Sequence, residues 1–375
     1  MPLSELKSRI LLNMLPEISV MRANKLISYY NSASRIFTSN IEEISAAGEL
    51  NESLAVKILT SVDKIDVDKE IKKADELGLE ILIPENDSYP QHLKTLQDFP
   101  VVLYAKGKFD KNDIYSVAIV GTREPTDYGK KVTQKLSKEF ANLGVTVVSG
   151  LARGIDTVAH TQSLNSGGRT IAVLGNGMNF HYPPENQILE DKISKCGAVI
   201  SEFPLDTSPD RFNFPKRNRL IAALSLGTIV IEGSDKSGTL ITAKFAAEQG
   251  KDVFAVPGDV FSKYSYAPHF LLKQGARLID KAEDVIEEIS DLNDWLIRRL
   301  KIQEEQRKQQ EDLPALMNKT EEKIIKILSS CIDGVNIDKL QKQICCGFGE
   351  LSQSLLSLEL RKKVKSLPGK VYIKI

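Results

Sequence analysis

The chain has 375 residues, with 50 basic and 50 acidic side chains, a formal net charge of zero and 42% hydrophobic residues. That length accommodates two or three domains, and the charge balance excludes a global field that would draw in polyanions, so any such binding must come from local patches. The charged N-terminus MPLSELKSRILLNMLP is unlike a signal peptide, and no apolar run approaches the roughly 18 residues of a membrane span.

Residues 1–80 repeat apolar side chains at three- and four-residue steps (Ile10, Leu11, Met14, Leu15; Leu26, Ile27, Tyr30; Leu54, Ile58, Leu59), which predicts a small helical domain of helix-hairpin-helix or SAM-like type. A DNA-binding hairpin needs a Gly-x-Gly turn to bring amides to phosphate. Pro16, Glu17, Ile18 and Ser19 stand there instead, so packing or partner docking is expected. Residues 81–112 hold short apolar runs between Pro84, Pro90 and Pro100, a connection that adds one or two edge strands to the next domain.

From 114 to 289 the texture changes. Val117–Val120, Val145–Val148, Thr170–Leu174, Ala198–Ile200, Thr228–Ile231, Val253–Val256 and Arg277–Ile279 are continuously apolar, as in strands buried on both faces of a parallel sheet. Helical patterns at 129–143, 155–165, 185–195, 217–225 and 239–249 supply the crossovers. The expected fold class is α/β, with a Rossmann-like, doubly wound domain over 81–289. Residues 290–315 form a charged linker, either exposed helix or disordered. Residues 316–375 read as three helices and a hairpin turning at Pro368 and Gly369, a winged helix that contacts either DNA or protein.

Ligands of such sheets sit beyond the carboxyl ends of the strands. There the chain carries Gly121, Thr122 and Arg123; Ser149, Gly150 and Arg153; and Lys236, Ser237 and Gly238. Glycines let amides approach an anion, hydroxyls donate, and arginine offers a fork to phosphate. The stretch 210–219, DRFNFPKRNR, interleaves Arg211, Lys216, Arg217 and Arg219 with Phe212 and Phe214. Basic groups suit phosphates and aromatic faces suit unstacked bases. Pro215 marks a shaped loop that opens a helix near Asn218. Arg211 and Phe214 are the expected DNA contacts. Arg217, Asn218 and Arg219 are expected mainly to tie loops to Glu202 and Glu232.

Acid–base candidates are Asp156, His160, Glu202 and Glu232, but each has a structural reading: Asp156 as a helix cap, His160 packed under the sheet, and the glutamates paired with arginines. No catalytic residue is assigned. Cys196, Cys331, Cys345 and Cys346 and the four histidines lack metal-ligand spacing, so neither metal nor cofactor is expected, and the thiols suit a reduced, cytoplasmic setting.

The segments AIVGTREPTDYG, VVSGLARGIDTVAH, TIAVLGNGMNFHYP, FPKRNRLIAALS, KSGTLITAKFAAEQGKDVFAVPG and LLKQGARLI, in order over 114–280, resemble the DNA-processing protein A (DprA/Smf) family. The resemblance implies a non-enzymatic binder that protects incoming single-stranded DNA in natural transformation, loads the RecA recombinase, and dimerises through the Rossmann-like domain. It places the DNA pocket on Arg123, Arg211, Phe214 and Lys236–Gly238. Departures are Gly233 where the family often has Ala, Asn179 for Asp, Ala267-Pro268-His269 for Gly-x-Asn, and Lys362-Lys363 where Gly is common. The alternative is a nucleoside-monophosphate phosphoribohydrolase on a related fold, but the glutamate of its Pro-Gly-Gly-x-Gly-Thr-x-x-Glu loop has no counterpart in KSGTLIT, residues 236–242.

Overall fold

The computed structural model describes residues 3–312, 318–331, 334–344 and 346–375. The chain divides into two compact units, Met1–Arg298 and Arg299–Ile375. Among the described residues, no helix is long and apolar enough to cross a membrane.

Six helices open the first unit: α1 (Glu5–Asn13), α2 (Val20–Tyr30), α3 (Ala33–Ile36), α4 (Ile41–Gly48), α5 (Glu52–Thr60) and α6 (Val67–Glu76). Each begins at a short polar residue, namely Ser4, Ser19, Ser32, Asn40, Asn51 and Asp66, whose side chain accepts from an amide that the first turn leaves without an acceptor. Their apolar stripes do not close on themselves. Ile10, Leu26 and Ile58 belong to the same core as Tyr104, Ala172 and Val199 of the sheet. The Glu70 carboxylate accepts from the Tyr104 hydroxyl at 2.9 Å and from the Leu205 amide at 2.8 Å. These helices are packed on the sheet.

The sheet comprises β1 (Glu80–Leu82), β2 (Leu103–Gly107), β3 (Ser116–Val120), β4 (Thr146–Ser149), β5 (Thr170–Val173), β6 (Ala198–Ser201), β7 (Gly227–Val230), β8 (Asp252–Ala255) and β9 (Arg277–Leu278). Between them run α7 (Asp127–Leu143), α8 (Ile155–Asn165), α9 (Gln187–Cys196), α10 (Asn213–Leu224), α11 (Gly238–Glu248) and α12 (Tyr266–Lys273), and α13 (Ala282–Glu288) follows. Strand order is β1-β2-β6-β5-β4-β3-β7-β8-β9. β1 pairs antiparallel with β2, and β2 antiparallel with β6, at one edge, and the other pairings are parallel. Every residue of β3, β4, β5, β6 and β7 is buried, as continuous hydrophobicity requires. The chain winds outward from β3 to β6 and returns to the other side of β3 at β7. This reversal opens a crevice above the carboxyl ends of β3 and β7.

Two boundaries differ from expectation. Helix α10 begins at Asn213, before the expected 217, with Pro215 inside its first turn. The first amides of a helix have no intrahelical acceptor, so proline loses nothing there. Residues 290–312 are helix α14 (Ser290–Asp312), and its start is no linker. Leu292, Trp295 and Leu296 are buried with Ile119 and Ile229, and Trp295 stacks on Tyr115 with centroids 4.5 Å apart.

The second unit contains α15 (Lys319–Ser329), β10 (Val335–Asn336), α16 (Ile337–Ile344), α17 (Phe348–Leu360), β11 (Val364–Leu367) and β12 (Val371–Lys374). Its sheet is antiparallel in the order β10-β12-β11, over a core of Ile324, Leu328, Leu340, Leu351, Leu355 and Val364.

Candidate nucleic-acid interface

A cleft of about 580 Å³ lies at the crevice. The loop after β3 supplies Gly121, Thr122 and Arg123; the loop after β7 supplies Lys236, Ser237 and Gly238; α10 and its approach supply Arg211, Phe214, Arg217 and Asn218. Four distant sequence segments thus meet at one sheet edge once the residues after β4, Ala152 and Asp156, are added.

The rim is basic and aromatic. Arg123, Arg211 and Lys236 are exposed, and none of the three has an ion-pair partner among the described residues. The Arg123 guanidinium lies 5.4 Å from the centroid of the half-buried Phe214 ring, and Tyr182 packs against that ring at 5.3 Å. Arg211 stacks on Phe212 at 4.8 Å. Phe212 is 63% exposed, a large apolar cost left on the surface of a helix start. Ser237 caps α11, accepting from the Thr239 amide at 3.2 Å. A Cβ on Gly238 would meet nothing within 4 Å, so an anion can approach the first turn of α11 closely.

The floor is different. Arg217 is buried and donates through Nη1 to the carbonyl of Gly150 at 2.6 Å and to that of Val173. Burial lowers its pKa to about 10, against the pull of nearby Asp156, so it stays charged at neutral pH. Burial in turn pushes the Asp156 carboxyl up, while Arg217 and the amides of Ala152 and Gly150 hold it down. A Cβ on Gly150 would lie 2.6 Å from the Arg217 guanidinium, one on Gly175 2.6 Å from Phe214, and one on Gly121 2.4 Å from Ile155. These glycines make room for the protein's own side chains. Gly121 nonetheless lines the cleft, whereas Gly150 lies in the narrow pocket beside it.

Ser149, Gly150, Arg153, Lys216 and Arg219, also expected in the site, stand outside the cleft lining. The Ser149 hydroxyl is fully buried and donates to the Ile119 carbonyl at 2.6 Å, so it cannot reach a ligand. Arg219 is buried between Glu202 and Asp98, the latter at 3.0 Å, the loop-tying role expected of it. Lys216 is exposed outside the cleft lining. Gly150 and Arg153 line a narrow adjoining pocket with Tyr182, where Arg153 is paired bidentately with Glu185. Asn218 bridges α10 to the neighbouring loop by donating to the Gly238 carbonyl at 3.3 Å.

The four acid–base candidates are all engaged. Glu232 accepts from the Thr126 amide at 2.9 Å and hydroxyl at 2.5 Å, not from the arginines expected of it. Glu202 is held by Arg219, and burial raises its pKa. Asp156 reaches back to two loop amides and does not cap α8, whose N-cap is Gly154. His160 is fully buried with Nδ1 2.6 Å from the Thr170 hydroxyl, and burial drops its pKa to about 3. Tyr182 is a cleft residue that sequence reasoning left out of the site, although its place after the third Rossmann strand was visible.

The sequence model of the DNA recombination-mediator protein A family matches residues 80–290. The chain belongs to this family. DNA processing protein DprA of Bacillus subtilis is 45% identical over 219 residues, covering 58% of this chain and 74% of the relative. Its counterpart in Streptococcus pneumoniae is 37% identical over 265 residues, 70% of this chain and 91% of the relative. The X-ray structure of the Streptococcus pneumoniae protein superposes with a TM-score of 0.67 at 32% identity, over 77% of this chain and 99% of that one. A structure of the single-stranded DNA binding mode of DNA processing protein A from Helicobacter pylori gives 0.51 at 32% identity, over 57% and 96%.

Gly233 and Ala267, on separate segments, meet in space. Gly233 accepts from the Ala267 amide at 2.8 Å, and a Cβ on Gly233 would lie 3.0 Å from that of Ala267. The 262–270 segment runs as a single turn (Lys263–Ser265) leading into α12.

Proposed function

We propose that the chain binds single-stranded DNA without regard to sequence, protects it during DNA uptake in the cytoplasm, and passes it to the RecA recombinase. The observation that carries this is the rim: Arg123, Arg211 and Lys236 stand without ion-pair partners around the half-exposed ring of Phe214. Cations track a phosphodiester backbone, and an aromatic face stacks any base for about 1–3 kcal/mol. Membership of a DNA-processing family supports the same reading. We also propose a homodimer through the Rossmann-like domain. Val260, Phe261, Tyr266 and Phe270, exposed near α12, provide apolar surface of the sort that protein contacts cover. The second unit, with its helices and terminal hairpin, fits a winged helix.

A phosphoribohydrolase finds no support. Asp156 is the one carboxylate in the cleft lining, and loop amides occupy it. The direct test is fluorescence anisotropy of labelled single- and double-stranded oligonucleotides over a salt series. Arg123→Ala and Arg211→Ala are each expected to weaken single-strand binding and to reduce the slope of log K against log salt by about 0.7, the single-strand value per phosphate contact. Both variants binding like the unmodified chain would overturn the placement.

A further inference from the structure

The chain as a whole is neutral, yet residues 318–375 carry eleven Lys and Arg against six Asp and Glu. Six of the eleven fall within 361–374, where there is no acidic residue. They lie on or beside the β11–β12 hairpin. Lys362, Lys363, Lys365 and Lys370 are exposed there and have no ion-pair partner among the described residues. The backbone adds an independent sign. Lys362 has φ 54° and Lys370 has φ 59°, left-handed positions that glycine or asparagine fill at lower cost. A strained conformation kept for a charged residue points to a use for the charge.

We infer that this hairpin is a second nucleic-acid surface, separate from the cleft, that grips the phosphate backbone of a duplex. Single-strand binders rely on exposed aromatic platforms. The hairpin has none, since its one aromatic residue, Tyr372, packs against the core of the unit. Base reading from a major groove is also unsupported. Helix α17 contains no Lys or Arg, carries Glu350 and Glu359, and offers the single amide Gln353, whereas base edges are read chiefly by sets of Arg, Lys, Asn and Gln forks. Lysines on a ribbon beside a helix without a set of such forks recognise what all duplexes share, a regular array of phosphates. On one chain with a single-strand cleft, such a surface raises the local concentration of duplex ends and junctions.

The test uses the full chain with Lys362→Gly, Lys365→Ala and Lys370→Gly combined. Two of these changes relieve backbone strain, so the thermal midpoint is expected to hold or rise. Binding is read by anisotropy on a blunt duplex of roughly 20 base pairs and on a single strand of the same length. Duplex affinity is expected to fall about tenfold or more at low salt, with the salt slope smaller by about 2–3, while single-strand affinity changes less than about twofold. Unchanged duplex binding overturns the inference. So does an equal loss on both probes, which makes the hairpin an arm of the cleft. Retained duplex binding with lost binding to vesicles of anionic phospholipid assigns the lysines to a membrane surface and also overturns it. Arg123→Ala reports on the cleft alone, so the two surfaces stand or fall separately.

Discussion

The rim and the floor of the cleft draw on the same short stretch of sequence and spend their charges differently. At the rim, Arg211 has only the ring of Phe212 beneath it, and Arg123 only Phe214. On the floor, Arg217 is committed to the Gly150 and Val173 carbonyls, and Arg219 to Glu202 and Asp98. An arginine whose donors are already taken shapes a site; one whose donors are idle is available to a ligand. The division should appear as opposite signatures, stability lost from the floor and affinity lost from the rim.

The largest effect is expected on the floor. Arg217→Ala strips two carbonyls of their donor and leaves Asp156 buried without its nearby cation. Removing one member of a buried charged network costs about 3–5 kcal/mol, which urea unfolding followed by tryptophan fluorescence would show. Arg217→Lys should recover little, because a single ammonium cannot replace the planar guanidinium. A stability change under about 1 kcal/mol with lost DNA affinity would move Arg217 to the rim and break the comparison.

Next in size is a pH effect. His160, beneath the floor, has its pKa lowered from 6.5 to about 3 by burial, with Arg217 adding to the shift. Its folded-state value lies below its unfolded one, so its neutral form contributes fully above about pH 6.5. As pH falls from there towards 3, the unfolded chain takes up a proton that the folded chain refuses. Stability is then lost at about 1.4 kcal/mol per pH unit. The raised carboxyls of Asp156 and Glu202 act in the opposite sense over acidic pH. The readable quantity is therefore the stability difference between the unmodified chain and His160→Asn. That difference should shrink as pH drops below about 6.5; a difference independent of pH would mean that the imidazole is not held neutral.

Much of the fold was legible because its signals are local. Short uninterrupted β-branched runs such as Val117–Val120, bounded by glycine and polar residues, read as strands buried on both faces, and the polar residues that follow parallel strands share one sheet edge. What stayed hidden depends on partners far along the chain. Nothing near Gly150 announces that Arg217 will fill the space a side chain would take, and nothing near Glu232 announces Thr126. Pro215 resembles a loop residue until the first turn of α10 makes its missing amide harmless. The charged run 298–312 masked Leu292, Trp295 and Leu296 just before it, which belong to the core.

The smallest effect sharpens the comparison most. Arg153 was expected to bind DNA, and it is as exposed as a rim residue, yet Glu185 takes its fork through Nε at 2.5 Å and Nη2 at 3.1 Å. If idle donors are what define the rim, Arg153→Ala should change single-strand affinity by less than about twofold, while Glu185→Gln should free the guanidinium. The freed arginine should then raise affinity by about two- to threefold at low salt and steepen the salt slope by about 0.7. Should Arg153→Ala alone weaken binding as much as Arg123→Ala, an arginine already paired with a carboxylate would be serving the ligand, and exposure rather than free donors would decide which charges belong to the rim.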